Sequence, residues 1–294
     1  MTESLRNGPV RPAAWPVGQI ATFKSRCFEL GAGLLLLCSL VATSGAQGLP
    51  PDWPYPWPVG EILEYRILYG HLDVGEVRCS SRWLDKKEDS NIVLQIRVKS
   101  NRLISTVYPI EGTLECIVDR TTFRPLRSTR KMREGKRRSD EVNVFDRKAG
   151  MGRWQCNIHK VKKKEFEIGP DTFDILSFMY HLRASAMTVG TSEAFELMAD
   201  EKVYDLELDH VQTDRFKVAE EGKVESVKIR PKARLDGLLT LKDKGDLTAW
   251  VSTDERRVCT KLEAETPFAN LRIVLKRVTG PGKDFWVDPK KRAP

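Results

Sequence analysis

The sequence predicts a mainly β protein: a curved antiparallel sheet, or an incomplete or closed barrel of many strands, with one amphipathic helix at about 172–185 packed on it. Three observations carry this. Apolar residues recur with period two in run after run from residue 61 onward, turn-forming clusters separate the runs, and one stretch alone switches to helical period. The 294 residues are 40% hydrophobic and 31% charged, a composition that supports a packed core and argues against disorder or a multi-span membrane protein.

The elements follow in order. Lys24 and Arg26 precede the nearly uncharged run 31–43, and Ser44-Gly-Ala46 supplies the small residues a signal peptidase requires. The apolar run is shorter than the roughly 20 residues of a spanning helix, so residues 1–46 read as an export signal cleaved after Ala46. An uncleaved anchor and a lipid-modified Cys38 are the alternatives, the second disfavoured by the bulky Leu37 before it. Export places the protein in the periplasm or cell envelope. Residues 47–58 alternate prolines with Trp53, Tyr55 and Trp57, which forbids helix and ladder pairing and leaves an extended lead-in. A single β-rich domain is expected over 59–279, and a basic tail over 280–294.

Within the domain, strands are expected at 61–69, 75–84, 91–99, 107–119, 125–132, 140–145 and 153–160, joined by short connections that make them antiparallel neighbours. A second series is expected at 194–198, 202–208, 216–218, 224–229, 247–252, 257–264 and 271–278. So many strands curl or close rather than lie flat. Between the series, Asp171 or Thr172 can cap a helix whose Ile175, Phe178, Met179 and Leu182 form a stripe at i, i+3, i+4 and i+7.

Chemistry is harder to find. The formal charge of +8 falls to +6 once the signal is removed, leaving 45 basic against 39 acidic residues, too mild an excess for a nucleic-acid binder. Cys79, Cys116 and Cys156 alternate with apolar neighbours and read as small core residues, whereas Cys259 points the other way. If the strands meander, the strand at 91–99 separates Cys79 from Cys116 and forbids a bridge between them. Cys156 and His159 have the spacing of half a zinc site but lack a second pair, and no metal or cofactor is expected. Asp174, Ser177 and His181 share a helix face, yet Asp174 and His181 lie about 10 Å apart along the axis, too far for the acid of a triad to hold the imidazole. Carboxylates such as Glu111, Glu115 and Asp119 leave an acid–base pair open. The basic runs around 85–87, 130–138 and 160–164 read as solvated strand ends and protected edges, or as contacts with anionic lipid headgroups or acidic envelope polymers.

The helix and the last strands together carry a likeness. Asp174-Ile-Leu-Ser-Phe-Met-Tyr-His-Leu-Arg183 and Trp250-Val-Ser-Thr-Asp-Glu-Arg-Arg257 resemble the two signatures of domain of unknown function 3108, a family of uncharacterised exported bacterial proteins. Gly60-Glu-Ile-Leu-Glu-Tyr65, Gly75 and Leu114-Glu-Cys-Ile-Val-Asp119 followed by Pro125 extend the resemblance, and Cys259 departs from it where the family carries Pro. The resemblance implies a cell-envelope location, a mostly β architecture and no known activity.

Two function classes follow. The preferred one is a non-catalytic module that binds a lipid, glycan or envelope partner, with basic loops able to touch a membrane surface. The other is a hydrolase or lyase acting on an envelope polymer through paired carboxylates. The matched residues Asp174, Ser177, Tyr180, Arg183, Trp250, Asp254, Arg256 and Arg257 are the candidate site, either as ligand contacts or as a structural polar network. Arg183 at the helix end is expected to pair with Asp254 and pin the helix to the sheet.

Overall fold

The computed structural model describes residues 57–85, 90–158, 161–199, 202–218, 222–233, 247–254, 256–265 and 269–280. The export signal, most of the lead-in, His159 and nearly all of the basic tail lie outside the described residues.

Fourteen strands form one antiparallel sheet: β1 (Ile62–Tyr69), β2 (Leu72–Trp83), β3 (Ile92–Ser100), β4 (Ile110–Val118), β5 (Pro125–Glu134), β6 (Arg137–Asp146), β7 (Met151–Cys156), β8 (Lys162–Glu167), β9 (Ser192–Ala199), β10 (Lys202–Val218), β11 (Gly222–Ala233), β12 (Leu247–Ser252), β13 (Cys259–Ala264) and β14 (Leu271–Thr279). Across the sheet they run β8-β7-β6-β5-β4-β3-β2-β1-β14-β13-β12-β11-β10-β9. Each half is a meander of hairpins, and the first strand joins the halves by pairing with the last, from Ile62↔Thr279 to Tyr69↔Leu271. Two helices interrupt the meander, α1 (Arg102–Val107) between β3 and β4 and α2 (Ile175–Leu182) between β8 and β9.

The sheet curls until its edges meet. β8 and β9 form no ladder with each other, but Phe173, on the approach to α2, makes a parallel bridge with Leu197 of β9. Its N–H donates to Glu196 O at 2.9 Å and its carbonyl accepts from Met198 N–H at 2.8 Å. Beside this seam Phe145, Trp154, Ile168 and Met198 pack in one small cluster drawn from both edges. The result is a curved, nearly barrel-like sheet that is not closed.

Helix α2 lies inside the curl. Leu176 and Tyr180 join the large cluster built on β1–β4, with Trp57, Cys79, Leu94, Cys116 and Phe123. Phe178 and Leu182 face a second cluster with Phe195, Leu197, Leu206, Ile229 and Val251 from β9–β12. Leu176, Ser177, Phe178, Tyr180, His181 and Leu182 are all buried, so the helix is enclosed nearly all round instead of resting on the sheet by one stripe. A helix flanked by sheet on two sides loses the polar face that amphipathic patterning assumes.

Other boundaries differ for local reasons. Val107, where a strand was expected to begin, is instead the last residue of α1, which Asn101 caps by accepting the Ile104 N–H at 2.9 Å, and the strand begins at Ile110. The charged run at 162–167 is a strand, because edge position leaves its lysines in solvent. The pieces expected at 202–208 and 216–218 are one strand of 17 residues, whose polar middle is held by β11. Cys79 pairs across to Ile96 and Cys116 to Leu94, so β3 does separate the two thiols.

Candidate functional site

The candidate residues gather at the two ends of α2, with one exception. At its start Asp174 is the N-cap: its carboxylate accepts the Ser177 N–H at 2.9 Å, while the Ser177 hydroxyl oxygen accepts the Asp174 N–H at 3.0 Å. This capping box satisfies two helix donors within the buried interior. The Ser177 hydroxyl also donates to the Asp174 carboxylate at 2.5 Å. Ser177 is therefore bound into the cap. Burial pushes the Asp174 carboxyl above its ordinary value, against the pull of those bonds, and pushes up the neighbouring Cys116 thiol.

Two arginines brace the same end. Arg124 pairs with Asp171, and its guanidinium lies 4.5 Å from the centre of the Phe173 ring. Arg147 donates to the carbonyls of Gly169, Pro170, Pro125 and Thr172, tying the β8–α2 connection to the start of β5. His181 stacks on Phe173 with ring centres 4.5 Å apart. Burial first, and the Arg124 charge second, push its pKa down to about 4, so it is neutral at pH 7.

At the far end of α2 the carboxylate partner of Arg183 is Glu61, not Asp254. Arg183 Nη1 and Nη2 donate to the two Glu61 oxygens at 2.7 and 3.2 Å, a bidentate fork, and Arg256 donates to Glu61 as well. Arg183 Nε also donates to the Arg256 carbonyl at 3.0 Å, so the helix signature and the β12–β13 signature do meet, through main chain. Asp254 shapes the loop instead, accepting the Arg256 N–H at 2.9 Å on its side chain and the Arg257 N–H at 3.1 Å on its carbonyl. Arg257, at φ 47°, reaches the Ala184 and Ser185 carbonyls just past the helix, where a cation complements the dipole.

This end is a charged cluster out of reach of water. Glu61 and Arg256 are each 0% exposed and Arg183 4%, giving two cations for one anion. Burial lowers the Arg256 pKa to about 10 and lowers that of Arg183, yet both stay protonated at neutral pH. Aromatic rings supply further compensation: Arg183 lies 4.9 Å from the Trp57 ring centre and 5.3 Å from that of Tyr180, and those rings meet edge to face at 5.0 Å. Trp57 thus docks the end of the lead-in on the body.

Trp250 stands apart. Its neighbour Val251 points into the interior cluster, so Trp250 faces the other side of β12, where its Nε1 donates to Asp214 at 2.7 Å and Lys261 Nζ lies 4.1 Å from its ring. Sequence reading missed Glu61, Arg124 and Arg147. Glu61 lay inside a matched segment, but it is the buried charge of a strand start and shares no local spacing with Arg183 or Arg256.

The buried carboxylates Glu61, Asp174 and Glu141 are held by protein partners. Glu61 and Asp174 are each engaged as described, and buried Glu141 holds Arg130 at 2.7 and 2.8 Å and Trp154 Nε1 at 3.1 Å. Of the carboxylates singled out from sequence, Glu115 accepts from the Gln95 amide at 2.9 Å and Asp119 accepts the Thr121 and Thr122 N–H groups at 3.0 and 2.8 Å. Among the described residues no group of three His, Cys, Asp or Glu is arranged to hold a metal ion, and no helix is long and apolar enough to cross a membrane.

The first of the following solved structures agrees with this architecture. A crystal structure of a β-barrel-like protein of domain of unknown function DUF1849 from Brucella abortus is 10% identical, with a TM-score of 0.53 over 75% of this chain and 97% of that one. A DUF1089 family protein from Pseudomonas aeruginosa is 10% identical, with a TM-score of 0.35 over 74% of this chain and 98% of that one. A Bacteroides fragilis protein with a YmcC-like fold is 8% identical, with a TM-score of 0.30 over 77% and 98%. No curated protein matches the chain. The model of the family described as "Protein of unknown function (DUF3108)" matches residues 64–276, which takes in most of the sheet, all of α2 and the loop that carries Arg256, and the chain belongs to that family.

Proposed function

We propose that the protein is a non-catalytic binding module of the bacterial cell envelope, exported by its N-terminal signal, that holds a lipid, glycan or protein partner on the outer surfaces of its curled sheet. The observation that supports this reading is the filled interior. Helix α2 occupies the curl, with Asp174, Ser177, Arg183 and Arg256 bonded to neighbouring protein groups at its two ends. A structural network of this kind leaves recognition to the rims.

Fractionation of expressing cells, N-terminal sequencing, and incubation of the purified protein with peptidoglycan sacculi and envelope-lipid vesicles test the proposal. Expected are an envelope or periplasmic protein starting at Gln47 that co-sediments with one of the two and releases no new reducing ends, amines or fatty acids. A cytoplasmic protein that keeps Met1, or release of any such product, overturns it.

A further inference from the structure

We infer that one rim of the sheet, formed by the β1–β2 turn, α1 and the β5–β6 turn, docks on an anionic lipid bilayer. The inference rests on the envelope-binding reading and names its surface and partner.

The topology brings these three connections together. β1 to β6 are consecutive neighbours in the sheet, so alternate hairpin ends fall on one rim. Hydrogen bonds then stitch that rim into one layer. The Asn101 N–H donates to Val74 O at 3.0 Å and its side chain to Asp73 O, which ties α1 to the start of β2. On the other side the Gly135 N–H donates to Pro109 O at 2.8 Å. A Cβ at Gly135 would come within 2.7 Å of the Tyr108 ring, so the β5–β6 turn sits directly against the segment that follows α1.

On this stitched layer the hydrophobic pattern is inverted. Leu103 is 75% exposed, Leu72 64% and Val107 44%, and α1 contributes no buried residue at all. Single exposed leucines need no explanation, but three on interlocked connections make a patch. Cations border it. Arg102, Lys136, Arg137 and Arg138 are exposed there, and within 70–73, 101–109 and 135–138 the opposing acid is Asp73. Within those segments the charge is four positive against one negative, with buried Glu134 beside Arg137 as a further acid just below the turn.

That combination selects the partner. A soluble acidic polymer would use the cations and leave the leucines in water. A bilayer with anionic headgroups takes both: the apolar side chains enter the headgroup–acyl boundary, roughly 5–10 Å deep, while the cations stay at the level of the phosphates. The buried Tyr108 and the Asn101 cap hold the layer in place, so docking needs no refolding.

The test is co-sedimentation of the protein as recovered from the host, whole or processed, with vesicles of equal parts phosphatidylglycerol and phosphatidylcholine, and with phosphatidylcholine alone. Binding is expected to the anionic vesicles, to weaken as salt is raised, and to be far lower on the neutral ones. Lys136→Gln, Arg137→Gln and Arg138→Gln together should weaken it about a hundredfold, at about fivefold per cation. Leu103→Gln with Val107→Gln, on the exposed helix, should weaken it about tenfold or more, and it carries the test should the triple variant fail to fold. Replacing Lys148, Lys217 and Lys223, at hairpin ends on the opposite rim, by Gln should leave binding within about twofold. No binding, equal binding to neutral vesicles, unchanged binding by both rim variants, or self-association of the parent that Leu103→Gln abolishes would each overturn the inference. An envelope location with no vesicle binding would refute the rim alone, whereas a cytoplasmic location would refute the broader reading.

Discussion

Glu61 holds two buried cations, so its neutralisation by Glu61→Gln is the sharpest perturbation of this fold. The substitution keeps volume and one carbonyl acceptor but removes the carboxylate charge to which both Arg183 and Arg256 donate. Two guanidiniums, 4% and 0% exposed, then face each other across a neutral amide. Removing one partner of a buried pair costs about 3–5 kcal/mol, because the remaining charge is left desolvated. For a domain of this size that is a fall in Tm on the order of 10 °C. Arg183→Met works differently: it leaves Glu61 paired with Arg256, a neutral couple, and fills the space beside Trp57 with an apolar chain. Its cost should be about 1–2 kcal/mol, mostly the lost bond to the Arg256 carbonyl and the lost ring contact. Urea unfolding, with slopes compared to confirm the same exposed surface, measures both. The reasoning fails if Arg183→Met costs as much as Glu61→Gln, or if both cost less than about 1 kcal/mol as a solvated surface pair would.

Three further outcomes follow from packing and titration. His181 has a folded pKa of about 4 against 6.5 unfolded, so the unfolded chain binds the extra proton between those values, and stability should fall by about 3 kcal/mol as pH drops from 6.5 to 4. Asp174, raised by burial, works in the opposite sense in the lower part of that window, so the comparison is with His181→Leu, whose urea midpoint should fall less steeply; parallel curves would refute the assignment. Gly75→Ala puts a Cβ 2.5 Å from the Lys99 carbonyl oxygen and 3.0 Å from Ser100 Cα, main-chain atoms that cannot swing away, and should cost about 1–3 kcal/mol by parting β2 from β3; unchanged thermal stability would count against this register. Trp57→Ala empties a site that is 1% exposed and touches Phe123, Tyr180 and Arg183, with an expected loss of about 3–5 kcal/mol by chemical denaturation, and a loss under about 1 would show that the lead-in does not dock.

Period-two alternation made most strands legible, since each buries one face against the interior, and capping plus helical period located α2. What failed was whatever depends on position in the finished sheet. Lys162–Glu167 carries too much charge to look like a strand, and only its edge location makes that pattern stable. Ser177 and His181 look like a polar face, yet both are buried once the sheet curls around the helix. Arg183 was expected to pair with Asp254, and it bonds Glu61 and the Arg256 carbonyl instead, because an ion pair across 122 residues leaves no mark on local spacing. Asp254 sat in the matched motif, while Glu61 sat at the start of a strand where alternation alone says little about charge.

The pairing of β1 with β14 also governs the order in which the molecule can assemble. The first strand made is the one at the seam of the two meanders, and its second neighbour, Leu271–Thr279, is the last. Each half can form hairpins from local contacts, but joining them requires closing a loop that spans nearly the whole domain, the kind of long-range contact that slows folding. A chain still emerging from a ribosome therefore cannot complete its sheet. The same pairing also sets a strict limit on shortening. A chain that stops before Leu271 would leave β1 and β13 as two bare ladder edges in the middle of the sheet, with one lysine between them, Lys261, where β8 carries three, and such a chain would aggregate instead of settling into a smaller fold.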